Sequence, residues 1–169
     1  NKEDISMAVT TQNSTEYANA IATPLVTANA VADKGKLRTL QFTHNQSGVG
    51  DAGSTVTLGK LPAGRVKLLG GLSRFYCNWT ASSQTLDLGW AAYEDLDGTA
   101  VTADPDGLVD GLDVDTVGYF TMEGNTAAGK LLGGNYIFES KKGVTIVAKA
   151  VGALADDDDL VGTITYIVD

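Results

Sequence analysis

One cysteine, one histidine and three prolines stand in a chain of 169 residues, and each scarcity removes a class of explanation. A lone Cys77 admits no internal disulfide, so stability must come from packing or from assembly. Cys77 and His44 are also too few to hold zinc without carboxylate help. Basic residues are sparse: 12 Lys and Arg stand against 21 Asp and Glu, a formal net charge of −9. Those few are scattered, with Lys141-Lys142 the densest pair, whereas phosphate backbones are bound by clustered cations. No apolar run approaches the length of a bilayer-crossing helix, and no stretch has the layout of a secretory signal. The expectation is a soluble protein with neither nucleic acid nor membrane as a partner.

What is present is ordinary globular composition, 43% hydrophobic and 20% charged, with 20 glycines. A chain of this length buries roughly two-thirds of its unfolded surface as one domain, enough for a core without metal or disulfide. Glycine-rich turns between short apolar runs point to strands.

Residues 1–36 read differently from the rest. They are rich in Ala, Thr and Asn, and Tyr17 is their only aromatic residue. Thr15 to Ile21 suits a short helix capped by Ser14 or Thr15 and ended by Pro24. Few large side chains could anchor this segment, so it reads as an N-terminal arm. Residues 37–169 read as one all-β domain of about eight strands: 37–43, 54–61, 65–79, 84–90, 117–122, 135–139, 144–151 and 160–168. Gly70-Gly71 predicts a bend that divides the third run into halves. In the fourth, Leu86, Leu88 and Trp90 point inward and Thr85 and Asp87 outward. In the last, Leu160, Ile164, Tyr166 and Val168 share a face. The fold class is an antiparallel β-sandwich or jelly roll.

Candidate chemistry is thin. Gly124 to Leu131 follows the spacing of a phosphate-binding loop, but Leu131 stands where Ser or Thr would hold magnesium, and no helix follows. A glycine turn between strands is the better reading. From Asp95 to Asp115 carboxylates are dense, and Asp95-Leu96-Asp97-Gly98 recurs as Asp104-Pro105-Asp106-Gly107. Asp95, Asp97, Asp104 and Asp106 are therefore the calcium candidates, since hard cations take several oxygens from a flexible loop. The spacing is not that of an EF-hand, and Asp with Gly is equally the ordinary vocabulary of turns. Asp156 to Asp159 reads as a solvated loop.

A Cys77–His44 nucleophile and base would have to be assembled across distant segments, while a thiol between Tyr76 and Asn78 in an apolar strand is usually just buried. Paired carboxylates for glycoside hydrolysis have no local signature. Asn13, Asn45 and Asn78 open glycosylation sequons. Trp79, Trp90, Tyr76 and Tyr93 could together make a sugar-stacking platform, although Trp90 is patterned into the core. No catalytic residue is assigned. The alternative to a structural role is a carbohydrate-binding sandwich, calcium-stabilised through the four aspartates.

The run Val56-Thr-Leu-Gly-Lys-Leu-Pro-Ala-Gly-Arg-Val-Lys-Leu-Leu-Gly-Gly-Leu72, followed by Leu86-Asp-Leu-Gly-Trp90, Asp97-Gly-Thr-Ala100 and Leu108-Val-Asp-Gly-Leu-Asp-Val114, resembles the capsid decoration (cement) proteins of tailed bacteriophages. The likeness covers about the middle third of the chain and consists of turn-and-strand phrases, chiefly Leu61 to Gly64 and Leu86 to Gly89. It implies a virion structural protein on the capsid surface, made in the bacterial host cytoplasm. The partners it implies are the major capsid protein and other copies of the chain, as an oligomer such as a trimer. Another tail or fibre component is the related alternative. The resemblance carries over no binding residue.

Overall fold

The computed structural model describes residues 23–24, 36–79, 84–123 and 134–168. The helix expected over Thr15 to Ile21, nearly all of the arm, and the glycine-rich run Gly124 to Leu131 lie outside the described residues. Alternation of apolar and polar side chains becomes twelve strands: β1 (Lys36–Asn45), β2 (Thr55–Leu61), β3 (Gly64–Leu69), β4 (Arg74–Cys77), β5 (Thr85–Trp90), β6 (Tyr93–Glu94), β7 (Ala100–Val101), β8 (Asp104–Asp113), β9 (Gly118–Thr121), β10 (Asn135–Ser140), β11 (Val144–Ala150) and β12 (Asp159–Val168). Lys36, read as the end of the arm, already opens β1 and pairs with Val168. No helix among the described residues is long and apolar enough to cross a membrane.

Two sheets carry the fold, and every pairing is antiparallel. In the first, β1 runs along the whole of β12, from Lys36 opposite Val168 to Asn45 opposite Asp159. On its other side β12 meets β4 at Leu160 to Thr163 and β3 at Tyr166 to Val168. Strands β3 and β4 are thus one path, broken by the single 3-10 turn Gly70–Leu72. Strands β9 and β10 repeat the arrangement on the outer side, β9 against β4 and β10 against β3. The second sheet has the order β2, β11, β5, β8, and β6 and β7 form a separate small hairpin.

Counted as continuous paths, the sheets read β1, β12, β3–β4, β9–β10 and β2, β11, β5, β8. That is the eight-stranded jelly roll, a long antiparallel ribbon rolled so that first pairs with last, second with seventh, third with sixth and fourth with fifth. The expected all-β sandwich is therefore what forms. The eight runs differ from the eight paths in two places. The runs at 117–122 and 135–139 belong to one path, and β8 occupies a stretch read as turns.

The break at Gly70-Gly71 has a steric cause. A methyl group on Gly70 would collide with the backbone carbonyl oxygens of Gly134 and Met122, so the two broken paths cross there at a distance only glycine allows. Between the sheets lie Phe42, Val66, Leu68, Phe75, Leu160 and Ile164 from one side and Val56, Leu58, Leu86, Leu88, Val144 and Ile146 from the other, each at most 7% exposed. Burying each such side chain stabilises the fold by about 1.5–3 kcal/mol. Trp90 bridges the sheets, its ring 4.7 Å from Tyr136 and 5.4 Å from Phe138, the latter edge-on. Such pairs add about 0.5–1.5 kcal/mol each beyond area.

Candidate functional site

Strand β8 departs most from the sequence reading. Asp104-Pro105-Asp106-Gly107 is not a turn but the start of a ten-residue edge strand. Its register against β5 slips twice, so that Leu86, Leu88 and Trp90 face Leu112, Val109 and Asp104. The slips lay β8 close over β5: a methyl group on Gly107 would strike the Trp90 ring, and one on Gly89 the carbonyl of Asp104. Pro105 is tolerated because β8 lies at the edge of the second sheet.

The slips also bury Asp87, which alternation places in solvent. It is 4% exposed. One carboxylate oxygen accepts the Gly111 N–H at 2.9 Å, and the other lies 3.3 Å from the Lys149 ammonium. A buried carboxylate without such partners would cost several kcal/mol.

Three of the four calcium candidates have local partners, and Asp97 is exposed in the β6–β7 turn. Asp95 accepts the Thr99 N–H at 2.7 Å and caps the tight turn between β6 and β7, where Gly98 takes a positive φ of 89°. A side-chain hydrogen bond with Asp106, then burial, raises the Asp104 carboxyl above its usual range. Among the described residues no group of three or more His, Cys, Asp and Glu side chains converges as a metal site would require. The Asp156 to Asp159 loop is likewise bonded and not simply solvated. Asp158 is 4% exposed and accepts the Ala155 N–H at 2.7 Å, and Asp156 accepts the Gly48 N–H at 2.6 Å. Asp159 takes the amides of Asn45 at 2.9 Å and Asn78 at 3.4 Å, which occupies the side chains of two sequons. Asn13 lies outside the described residues.

Cys77 and His44 come nearer in register than in sequence, yet not into contact. His44 faces Leu160 on β12, and Leu160 faces Cys77 on β4. One strand intervenes, which sets the backbones about 10 Å apart. Burial pushes the Cys77 thiol up to about 11, so it is not a thiolate at neutral pH. His44 instead lies 3.3 Å from Gln46 Oε1. The sugar platform also dissolves: Trp79 is fully buried and Trp90 is 5% exposed.

An unanticipated surface replaces these. On the outer face of the first sheet an open groove of about 600 Å³ crosses β1, β12, β4 and β9, lined by Gln41, Thr163, Val161, Arg74, Tyr76 and Tyr119 among others. Period two explains it, because the neighbours Phe42, Ile164, Phe75 and Cys77 are buried and the residues between them face out. The β4–β9 register sets Tyr76 opposite Tyr119, with ring centroids 5.4 Å apart. The Arg74 guanidinium lies 5.2 Å from the centre of the Tyr119 ring. Tyr119 remains 69% exposed, a large aromatic side chain held in place and left uncovered. This constellation offers stacking, hydrogen bonding and a cation to whatever meets it, and holds no nucleophile–base pair.

No protein-family model matches the sequence, and no curated protein matches it. Solved structures share the fold. A chain of the cyanophage Pam1 capsid asymmetric unit superposes with a TM-score of 0.50 at 13% identity, over 85% of this chain and 92% of that one. A chain of infectious bursal disease virus, Gx strain, gives a TM-score of 0.47 at 12% identity over 80% of this chain. This chain spans only 32% of the length of the bursal disease virus chain.

Proposed function

We propose that this chain is a virion structural protein that sits on the outer surface of a tailed-phage capsid and bridges coat subunits. The observation that carries the reading is the jelly roll shared with a chain of a phage capsid, over 85% of one and 92% of the other. The groove on the first sheet supplies a contact surface of suitable chemistry, since Tyr and Arg are enriched where protein partners dock. The arm read over residues 1–36 is a second contact in this proposal. The role is mechanical and places the chain in the virion, with the major capsid protein as its partner.

Cosedimentation of the purified chain with capsids lacking it tests the reading. The native chain pellets with the shells, and Tyr76→Ala with Tyr119→Ala weakens binding by about tenfold or more while leaving the circular dichroism spectrum unchanged. A native chain that stays in the supernatant contradicts the proposal. Binding that ignores the double substitution removes the groove from it.

A further inference from the structure

The strand order separates charge in a way that the sequence does not display. Strand β1 ends the first sheet and β2 ends the second, and the two strands contact one another. They form one side of the sandwich. The opposite side is therefore β8 with the β9–β10 path, and the charge of Asp104 on β8 reaches the Tyr136 hydroxyl on β10. Strands β1 and β2 carry Lys36, Arg38 and Lys60 and not one Asp or Glu. Strands β8, β9 and β10 carry Asp104, Asp106, Asp110, Asp113 and Glu139 and not one Lys or Arg.

Lys36, Arg38, Lys60, Asp110 and Asp113 are all exposed. In a chain of net charge −9, two adjoining strands whose Lys and Arg are matched by no Asp or Glu are the exception. The charges that run against the pattern sit at strand ends or off the two edges: Asp159 and Asp156 accept from the Asn45 amide and the Gly48 N–H at the far end of β1 from Lys36. Asp51 is in the β1–β2 loop, Arg65 on β3 pairs with Glu139 at 2.6 Å, and Lys142 beyond β10 pairs with Glu94 at 3.1 Å.

We infer that the β1–β2 side of one copy docks on the β8 side of a second copy, so that the chain associates head to tail. Like charge disfavours the symmetric alternatives: two β1 edges would oppose Lys36 and Arg38 to themselves, and two β8 edges would oppose four carboxylates to four. The mixed pairing brings opposite charges together, and complementary potentials select partner and register more than they add raw affinity. Each side ends a described sheet and exposes some apolar surface, Leu37 at 62% exposed on one and Val117 at 46% beside the other. A heterologous contact of this kind closes into a ring if its rotation permits and otherwise grows a filament. The inference concerns the free chain and stands apart from the capsid reading, because its test contains no shell.

Sedimentation velocity on the purified full chain decides it. The native chain is larger than a monomer at about 20 mM salt, and its dissociation constant rises about tenfold or more by about 500 mM, where screening is nearly complete at contact range. Reversal of one side with Lys36→Glu, Arg38→Glu and Lys60→Glu yields a monomer, as does reversal of the other with Asp110→Lys and Asp113→Lys. Mixing the two reversed proteins restores association in one-to-one proportion, which shows that neither is misfolded. A native chain that is monomeric at low salt overturns the inference. So does an oligomer indifferent to either reversal, or a pair of reversed proteins that ignore each other.

Discussion

Replacing Asp87 by alanine tests whether the slipped register of β8 governs the second sheet. The substitution removes the acceptor of the Gly111 N–H, a bond of 2.9 Å beneath the β8 slip, and strands the Lys149 ammonium. Gly111 is itself exposed, so the loss is that of one hydrogen bond to a buried carboxylate, about 1–3 kcal/mol. The Lys149 side chain is a third exposed and can turn toward water, so its loss adds only about 1 kcal/mol. The sum is about 2–4 kcal/mol. For a domain of this size that lowers the thermal midpoint by about 4–16 °C. Asp87→Asn, whose amide oxygen still accepts from Gly111, should lose less than half as much. Lys149→Met should lie between them, and the double substitution with Asp87→Ala should cost less than the two single losses added. Thermal unfolding followed by circular dichroism at neutral pH measures all four. A loss below about 1 °C for Asp87→Ala would mean that Asp87 is solvated as plain alternation suggests, and that β8 does not cover it.

Three further outcomes follow from the packing. Gly70→Ala pushes a methyl group into two backbone carbonyls that cannot turn aside, and overpacking of that kind costs about 1–3 kcal/mol; chemical denaturation should show the midpoint falling with little change in slope. Cys77 should resist a thiol reagent at pH 7.5 in the native state and react fully once unfolded, and rapid labelling of the folded chain would contradict its burial. Because the Asp104 carboxyl binds its proton more tightly folded than unfolded, its contribution is fully present below the ordinary aspartate range and is lost as pH rises through the raised value. Asp104→Asn keeps a donor toward Asp106 without the charge, so it should flatten that slope and raise the midpoint at pH 7 by about 1–3 °C; a steeper slope would reverse the sign of the argument.

Local pattern carried much of the fold. Period two marked the inward faces of β1, β5 and β12, where Phe42, Leu86, Leu88, Leu160 and Ile164 are buried as the alternation expects. The Gly70-Gly71 pair marked the break because close backbone approach leaves only glycine as a solution, and Cys77 was legible as a core thiol. β8 was not, for a physical reason. Its Asp, Gly and Pro residues favour turns locally, and only its position at an edge over Gly89 and Trp90 makes them a strand. Adjacent burial of Leu108 and Val109 erases the two-residue period at the slip. Asp87 was misjudged as a consequence, since alternation describes one sheet and is blind to a neighbour bulging over its outer face.

The interaction surfaces were the least legible. Tyr76 and Tyr119 meet because β4 pairs with β9, and the basic and acidic sides exist because β2 and β8 close opposite ends of one sheet. Both depend on strand order, which turn signals and periodicity do not encode. The tryptophans that suggested a sugar platform were the most visible aromatic residues in the sequence, and they are core.

The proposed virion role is tested most directly by the copy number of this chain in purified phage particles, by quantitative mass spectrometry against the major coat protein. The account predicts a chain present in proportion to the coat subunits. Absence from purified particles, or a few copies per particle as a tail component would show, would contradict it.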